Sequence, residues 1–188
     1  PEGYHIEMTG EDETISDSMS QLVLMMILAV IFIYLIMVVQ FQSLVSPFII
    51  MFSIPLAFTG GFIALLLTGQ DVNVLAMLGF SMVAGLIVNN GIVLIDYINQ
   101  ARKAGVSKHE AIISSGKTRV RPILMTVLTT VLAMLTTALG IGDGSDMMRP
   151  MAITLIGGLV YGTVLTLIVI PCIYDMFHRE KNMVEEEL

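Results

Sequence analysis

Five long apolar segments alternate with short polar connections along the chain, covering about 22–39, 47–67, 74–98, 123–141 and 151–177. Each is close to or above the ~20 residues a helix needs to cross a bilayer core. The pattern predicts an all-α polytopic membrane protein with five spans. Ser46 before Pro47 offers a start for the second span, since proline suits the first helical turn. Pro55 and Pro171 fall inside spans and predict kinks, which membrane helices tolerate because neighbours and water satisfy the freed carbonyls. Between spans three and four, Ser107-Lys-His-Glu110 has the spacing of a capping box and predicts a short amphipathic helix over about 107–115 at the membrane surface.

Charge sets an orientation. Eight of the nine Lys and Arg residues lie in 101–121 or 178–188, and only Arg149 lies on the other side. The positive-inside bias makes the basic side cytoplasmic, with the N-terminus outside and the C-terminus inside. Residues 1–20, rich in acids and without Lys or Arg, agree. They read as the tail of a preceding domain, so a fragment is expected. The 188 residues are 55% hydrophobic and 13% charged, against about a quarter charged in soluble domains. The net charge of −7 comes mostly from the two tails and reads as solvation. No nucleic-acid partner is expected.

Metal and enzymatic chemistry find little support. Cys172 is the single cysteine. His109-Glu110 begins like a zinc-protease motif, but position 113 is Ile where the second histidine belongs. Met147, Met148 and Met151 are soft donors, more readily explained as packing. The spans carry no Ser/His, Cys/His or paired-Asp arrangement, so no catalytic residue, metal or cofactor is expected.

The polar residues inside the spans stand out instead. At 100° per residue, Ser81, Gly85, Asn89 and Asp96 share one face of span three, small or polar and unsuited to lipid. That face must look into a bundle or a wet cavity. Asn89 and Asn90 either bond across to a neighbouring helix or take part in a working polar network. Thr126, Thr130, Ala133 and Thr137 form a small, hydroxylated stripe on span four, and Gly158-x-x-x-Gly162 on span five permits close helix approach, as Gly85 does on span three. Arg121 reads as an anchor, whereas Arg119 could turn inward toward an acidic partner.

Three stretches carry a family resemblance: IPLAFTGGFIALLLTGQDVNVLAMLGF (54–80), AGLIVNNGIVLIDYINQARKAG (84–105) and TRVRPILMTVLTTVLAMLTTALGIG (118–142). Together they resemble the C-terminal part of a resistance–nodulation–division (RND) efflux transporter of the hydrophobe/amphiphile branch. The resemblance implies transmembrane helices 8–10 over 21–100, a cytoplasmic loop over 101–121, helices 11–12 over 122–177, a tail over 178–188, and the end of a periplasmic porter region over 1–20. It further implies a multi-pass protein of the bacterial inner membrane, built from two similar six-helix halves. Such transporters exchange protons for amphiphilic small molecules, driven by the proton gradient, typically as homotrimers. The N-terminal half, a periplasmic adaptor and an outer-membrane channel are the implied partners.

By residue, the resemblance places Asn89, Asn90, Thr126, Arg119 and Asp96 in the proton-coupling network. The proton-carrying aspartates themselves belong to the other half. The family's lysine position falls at Asn89, a departure, because a carboxamide can donate to a carboxylate but cannot neutralise it. Two rivals remain: an RND branch exporting metal, lipid or protein, and a membrane scaffold with no transport cycle.

Overall fold

The computed structural model describes residues 10–142 and 144–177, apart from the side chains of 11–13. The start of the acidic N-terminal segment and the tail with Arg179 and Lys181 lie outside the described residues. Six helices follow in order: α1 (Glu11–Phe41), α2 (Val45–Met51), α3 (Ser53–Thr68), α4 (Val74–Lys103), α5 (Lys108–Ala138) and α6 (Ser145–Phe177). With α2 and α3 counted as one, they make five spans long and apolar enough to cross a membrane, as the hydrophobic pattern predicts.

The division of span two has a local cause. Pro55 has no N–H to offer the carbonyl of Met51, one turn back. The helix pauses at Phe52, whose backbone stays helical at φ −62° and ψ −21°, while Ser53 Oγ donates to the carbonyl of Ile50 at 2.5 Å. Ser46 is not the cap. The helix starts one residue earlier, at Val45, whose N–H reaches Ser43 Oγ at 3.3 Å, and Ser46 is buried. At Pro171, α6 continues unbroken.

The capping box forms: Ser107 Oγ accepts from the N–H of Glu110 at 3.4 Å and meets its carboxylate at 3.2 Å. The helix it opens does not stop near 115, however. It runs through Pro122 to Ala138, so the basic segment and span four are one rod. The turn into α4 is equally local. Gly69 takes a left-handed φ of 64° to end α3, and Asn73 caps α4 by accepting from the N–H of Ala76 at 2.8 Å.

Helix α6 lies at the centre. Lys108 on Asp175 and Arg149 on the carbonyl of Ala138 set α5 antiparallel to it. Close approaches of Gly79 to Met151, Gly158 to Val83 and Gly91 to Ile170 set α4 parallel to it. On the α3 side, a Cβ added at Gly157 would lie 2.2 Å from Ala64 Cβ, and one at Gly60 would lie 2.5 Å from Tyr161 Cβ. In lipid, where burial against another helix gains little from apolarity alone, such close backbone packing supplies the association.

Three apolar clusters fill the bundle from end to end. Ile50, Leu94, Ile98 and Ile170 lie towards the basic end, and Ile87, Ile123, Val127 and Leu159 lie in the middle. Leu65, Phe80 and Ile153 lie at the far end, where Phe80 meets Phe58 and Phe62 at 5.2 and 4.5 Å between ring centroids. Helix α1 packs only near its C-terminal part, through Met37 and its neighbours, and Leu24, Met25, Phe32, Ile36 and Val39 face outward. A helix apolar all round suits a lipid boundary.

Candidate functional site

The adjacent carboxamides of α4 part company. Asn90, at 100° from Asn89, is 6% exposed and lies on the line Val83–Ile87–Leu94 that packs against α5 and α6. Asn89 is exposed, and so is Gly85, where an added Cβ would have nothing within 4 Å. The middle of the small polar face of α4, at Gly85 and Asn89, is therefore left open, while Ser81 and Asp96 at its two ends are half-buried. The expectation that Gly85 serves helix packing is not met within this chain, because nothing approaches it. Gly158 and Gly162 are in close contact: added Cβ atoms would lie 2.9 Å from Val83 and 2.6 Å from Ala57 respectively.

Neither carboxamide makes a side-chain hydrogen bond among the described residues. Asp96, half-buried, accepts from Gln100 Nε2 at 2.7 Å, one turn on along α4. Thr126 is exposed, and its hydroxyl donates to the carbonyl of Pro122 at 3.2 Å. Thr129 and Thr130 bond back within α5 in the same way. Thr126 and Thr130 of the hydroxylated stripe are thus satisfied within α5, and no side-chain hydrogen bond from the stripe reaches another described helix. Arg119 does turn inward, but towards an aromatic ring: its guanidinium carbon lies 5.1 Å from the centroid of Tyr97, a cation–π distance. The Tyr97 hydroxyl is within 3.4 Å of both Ser114 and Thr118, tying α4 to α5. No hydrogen bond among the described residues joins Asn89, Asn90, Asp96, Arg119 and Thr126 to one another.

A polar joint at the basic end was not foreseen from the sequence. Arg102, placed by its charge in a cytoplasmic loop, is 6% exposed on the last turn of α4, and its Nη1 donates to the Tyr174 hydroxyl at 3.3 Å. Tyr174, wholly buried, donates in turn to Asn99 Oδ1 at 2.6 Å. Beside this joint, Lys108 Nζ meets Asp175 at 2.8 Å. Spacing could have found Arg102, since it continues the buried run Gly91–Ile95–Ile98. Asn99 also lines a cleft of about 140 Å³ with Gln40, Ser43, Ser46, Asp96 and Lys103. Tyr174→Phe keeps the ring and strips this joint of the hydroxyl that Arg102 and Asn99 share. We expect a stability loss of about 1–3 kcal/mol, read as a lower unfolding midpoint of the full-length protein.

These features define a multi-spanning helical membrane domain with a carboxamide, Asn89, exposed at mid-span beside Gly85. The chain belongs to the AcrB/AcrD/AcrF family of RND efflux transporters, whose family model matches residues 1–178. It is 37% identical over its whole length to the swarming motility protein SwrC of Bacillus subtilis. Over 99% of its length it is 31% identical to the cobalt-zinc-cadmium resistance protein CzcA of Cupriavidus metallidurans. A crystal structure of a heavy metal efflux pump superposes on 92% of the chain with a TM-score of 0.79 at 30% identity. The chain spans 18% of the length of each of these relatives.

Proposed function

We propose that this chain contributes the second-half membrane engine of an exporter that exchanges protons for amphiphilic small molecules. One observation carries the reading: Asn89 stands exposed at mid-span beside Gly85, where no described helix packs. A bare carboxamide in hydrocarbon is costly, so that face requires a polar partner from elsewhere in the transporter. The partner fitting the family's two-half architecture is the N-terminal half, with its proton-carrying carboxylates. Protonation there would change their bonding to the Asn89 face and shift one half-bundle against the other. The basic end faces the cytoplasm in this reading, with the N-terminus outside. Trimeric assembly and docking to an adaptor and an outer-membrane channel belong to the same proposal.

A second reading, export of metal cations, is favoured by the names of CzcA and the heavy metal pump. The amphiphile reading rests on the three motif stretches. Of the methionines, Met25, Met82, Met125, Met147 and Met176 face outward, where lipid or the other half meets them, and Met37 is buried in the core. The experiment is transport by the full-length protein in proteoliposomes under an imposed pH gradient, with ethidium and Co²⁺ as alternative cargoes. Ethidium movement abolished by a protonophore is the expected result. Co²⁺ movement without ethidium establishes the metal reading, and gradient-independence of both removes proton exchange.

A further inference from the structure

Three buried side-chain atoms among the described residues have no hydrogen-bond partner: Thr163 Oγ1, Thr166 Oγ1 and Arg119 Nε. Both threonines are 1% exposed. A buried threonine in a helix usually donates to the carbonyl four residues back, as Thr154 does here to Pro150 at 2.8 Å. Thr163 and Thr166 leave the carbonyls of Leu159 and Gly162 untouched.

The orphans share a layer. Thr163 extends the Leu155–Leu159 stripe of α6, which packs on Val83 and Ile87 of α4 and on Ile123 and Val127 of α5. The parallel register of α4 and α6, with Ile87 against Gly162 and Gly91 against Ile170, brings Asn90 level with Thr166. Asn90 is itself more than nine-tenths buried and makes no side-chain hydrogen bond among the described residues. The antiparallel register of α5 carries Arg119 to the same level, with its head turned towards Tyr97 and the basic end.

Two buried, unsatisfied hydroxyls thus stand on α6 at the level of the Asn90 carboxamide, which has no hydrogen-bond partner among the described residues. Buried polar groups in such numbers are ordinarily bonded, and a water needs two to four polar partners. We infer that α4 and α6 hold ordered water at mid-span, bound by Thr163, Thr166 and Asn90. The site is a hydration site whatever cargo the transporter carries, and its test does not depend on transport. It lies behind the open Asn89 face, on the inner side of the same helix.

Two measurements on the full-length transporter decide it. In a high-resolution cryo-EM map, solvent density is expected within about 3 Å of Asn90 and of at least one of the two hydroxyls; a layer empty of density overturns the site. The second compares unfolding midpoints of Thr163→Val/Thr166→Val and Thr163→Ser/Thr166→Ser. If water is bound, the valine pair strands Asn90 and lowers the midpoint, while the serine pair stays near wild type. Adding Asn90→Leu to the valine pair then costs less than it does alone. If the layer is dry, valine removes two orphaned hydroxyls and raises the midpoint or leaves it unchanged, which overturns the inference. Should the valine pair fail to fold, the wild-type density stands as the test.

Discussion

Gly157→Leu in the full-length transporter is expected to abolish recovery of folded protein from the membrane. The first side-chain carbon alone would lie 2.2 Å from Ala64 Cβ and 2.9 Å from the carbonyl of Gly60, distances no rotamer relieves. Relief requires α3 and α6 to separate, and that contact is built along several turns: Gly60 on Tyr161, Gly61 on Thr154 and Ala57 on Gly162. Overpacking a tight interior costs about 1–3 kcal/mol where neighbours can shift, and more where the obstacle is backbone. Leucine's better helix propensity, worth about 1 kcal/mol over glycine, does not offset it. The measurement is the yield of monodisperse protein after detergent extraction, with Gly116→Ala as counterpart. Gly116 lies inside α5 with nothing within 4 Å of an added Cβ, so that change should be neutral or slightly stabilising. Wild-type yield from Gly157→Leu would mean that α3 and α6 do not pack through this glycine.

The spans were legible because hydrocarbon imposes one strong rule, and runs of apolar residues long enough to cross it are rare by chance. Punctuation was less legible. Pro55 acted on its preceding turn as expected, yet Pro122, with Arg119 and Arg121 before it, looked like a boundary and is helix interior. Membrane-surface and membrane-spanning segments share backbone geometry, and charge alone does not mark where one becomes the other. Arg102 shows the same limit from the other side: its charge argued for a loop, whereas its position on the buried face of α4 and the Tyr174 hydroxyl took it into the bundle.

The polar site divided along similar lines. Periodicity placed Gly85, Asn89 and Asp96 on one face, and the structure leaves Gly85 and Asn89 open with Asp96 half-buried. Periodicity could not say what meets that face, since no described helix of this chain packs on it at Gly85. It set Asn90 100° round the helix from Asn89 but could not say which of the two would stand on the packed side. Thr166 lies one turn beyond the Gly158–Gly162 pair, and its unsatisfied hydroxyl emerged from packing alone.

That division gives a sharp expectation for the two carboxamides. Asn89→Leu should leave the stability of this half within about 0.5 kcal/mol, because the side chain is exposed and belongs to none of the buried clusters. Asn90→Leu should change stability, since it alters a buried position beside Ile87 and Leu94. For transport the order reverses. If the bare face of α4 meets the proton-carrying half, a leucine at 89 leaves a carboxylate without its donor in a low-dielectric setting, and a lost charged hydrogen bond there is worth about 1.5–3 kcal/mol. Proton-coupled efflux should therefore fall at least about tenfold, the rate equivalent of 1.4 kcal/mol, at matched membrane expression. Asn89→Gln, which keeps the carboxamide, should recover part of it. Efflux unchanged by Asn89→Leu, with the Asn90→Leu protein destabilised, would make Asn89 a bystander and remove the observation on which the coupling role rests.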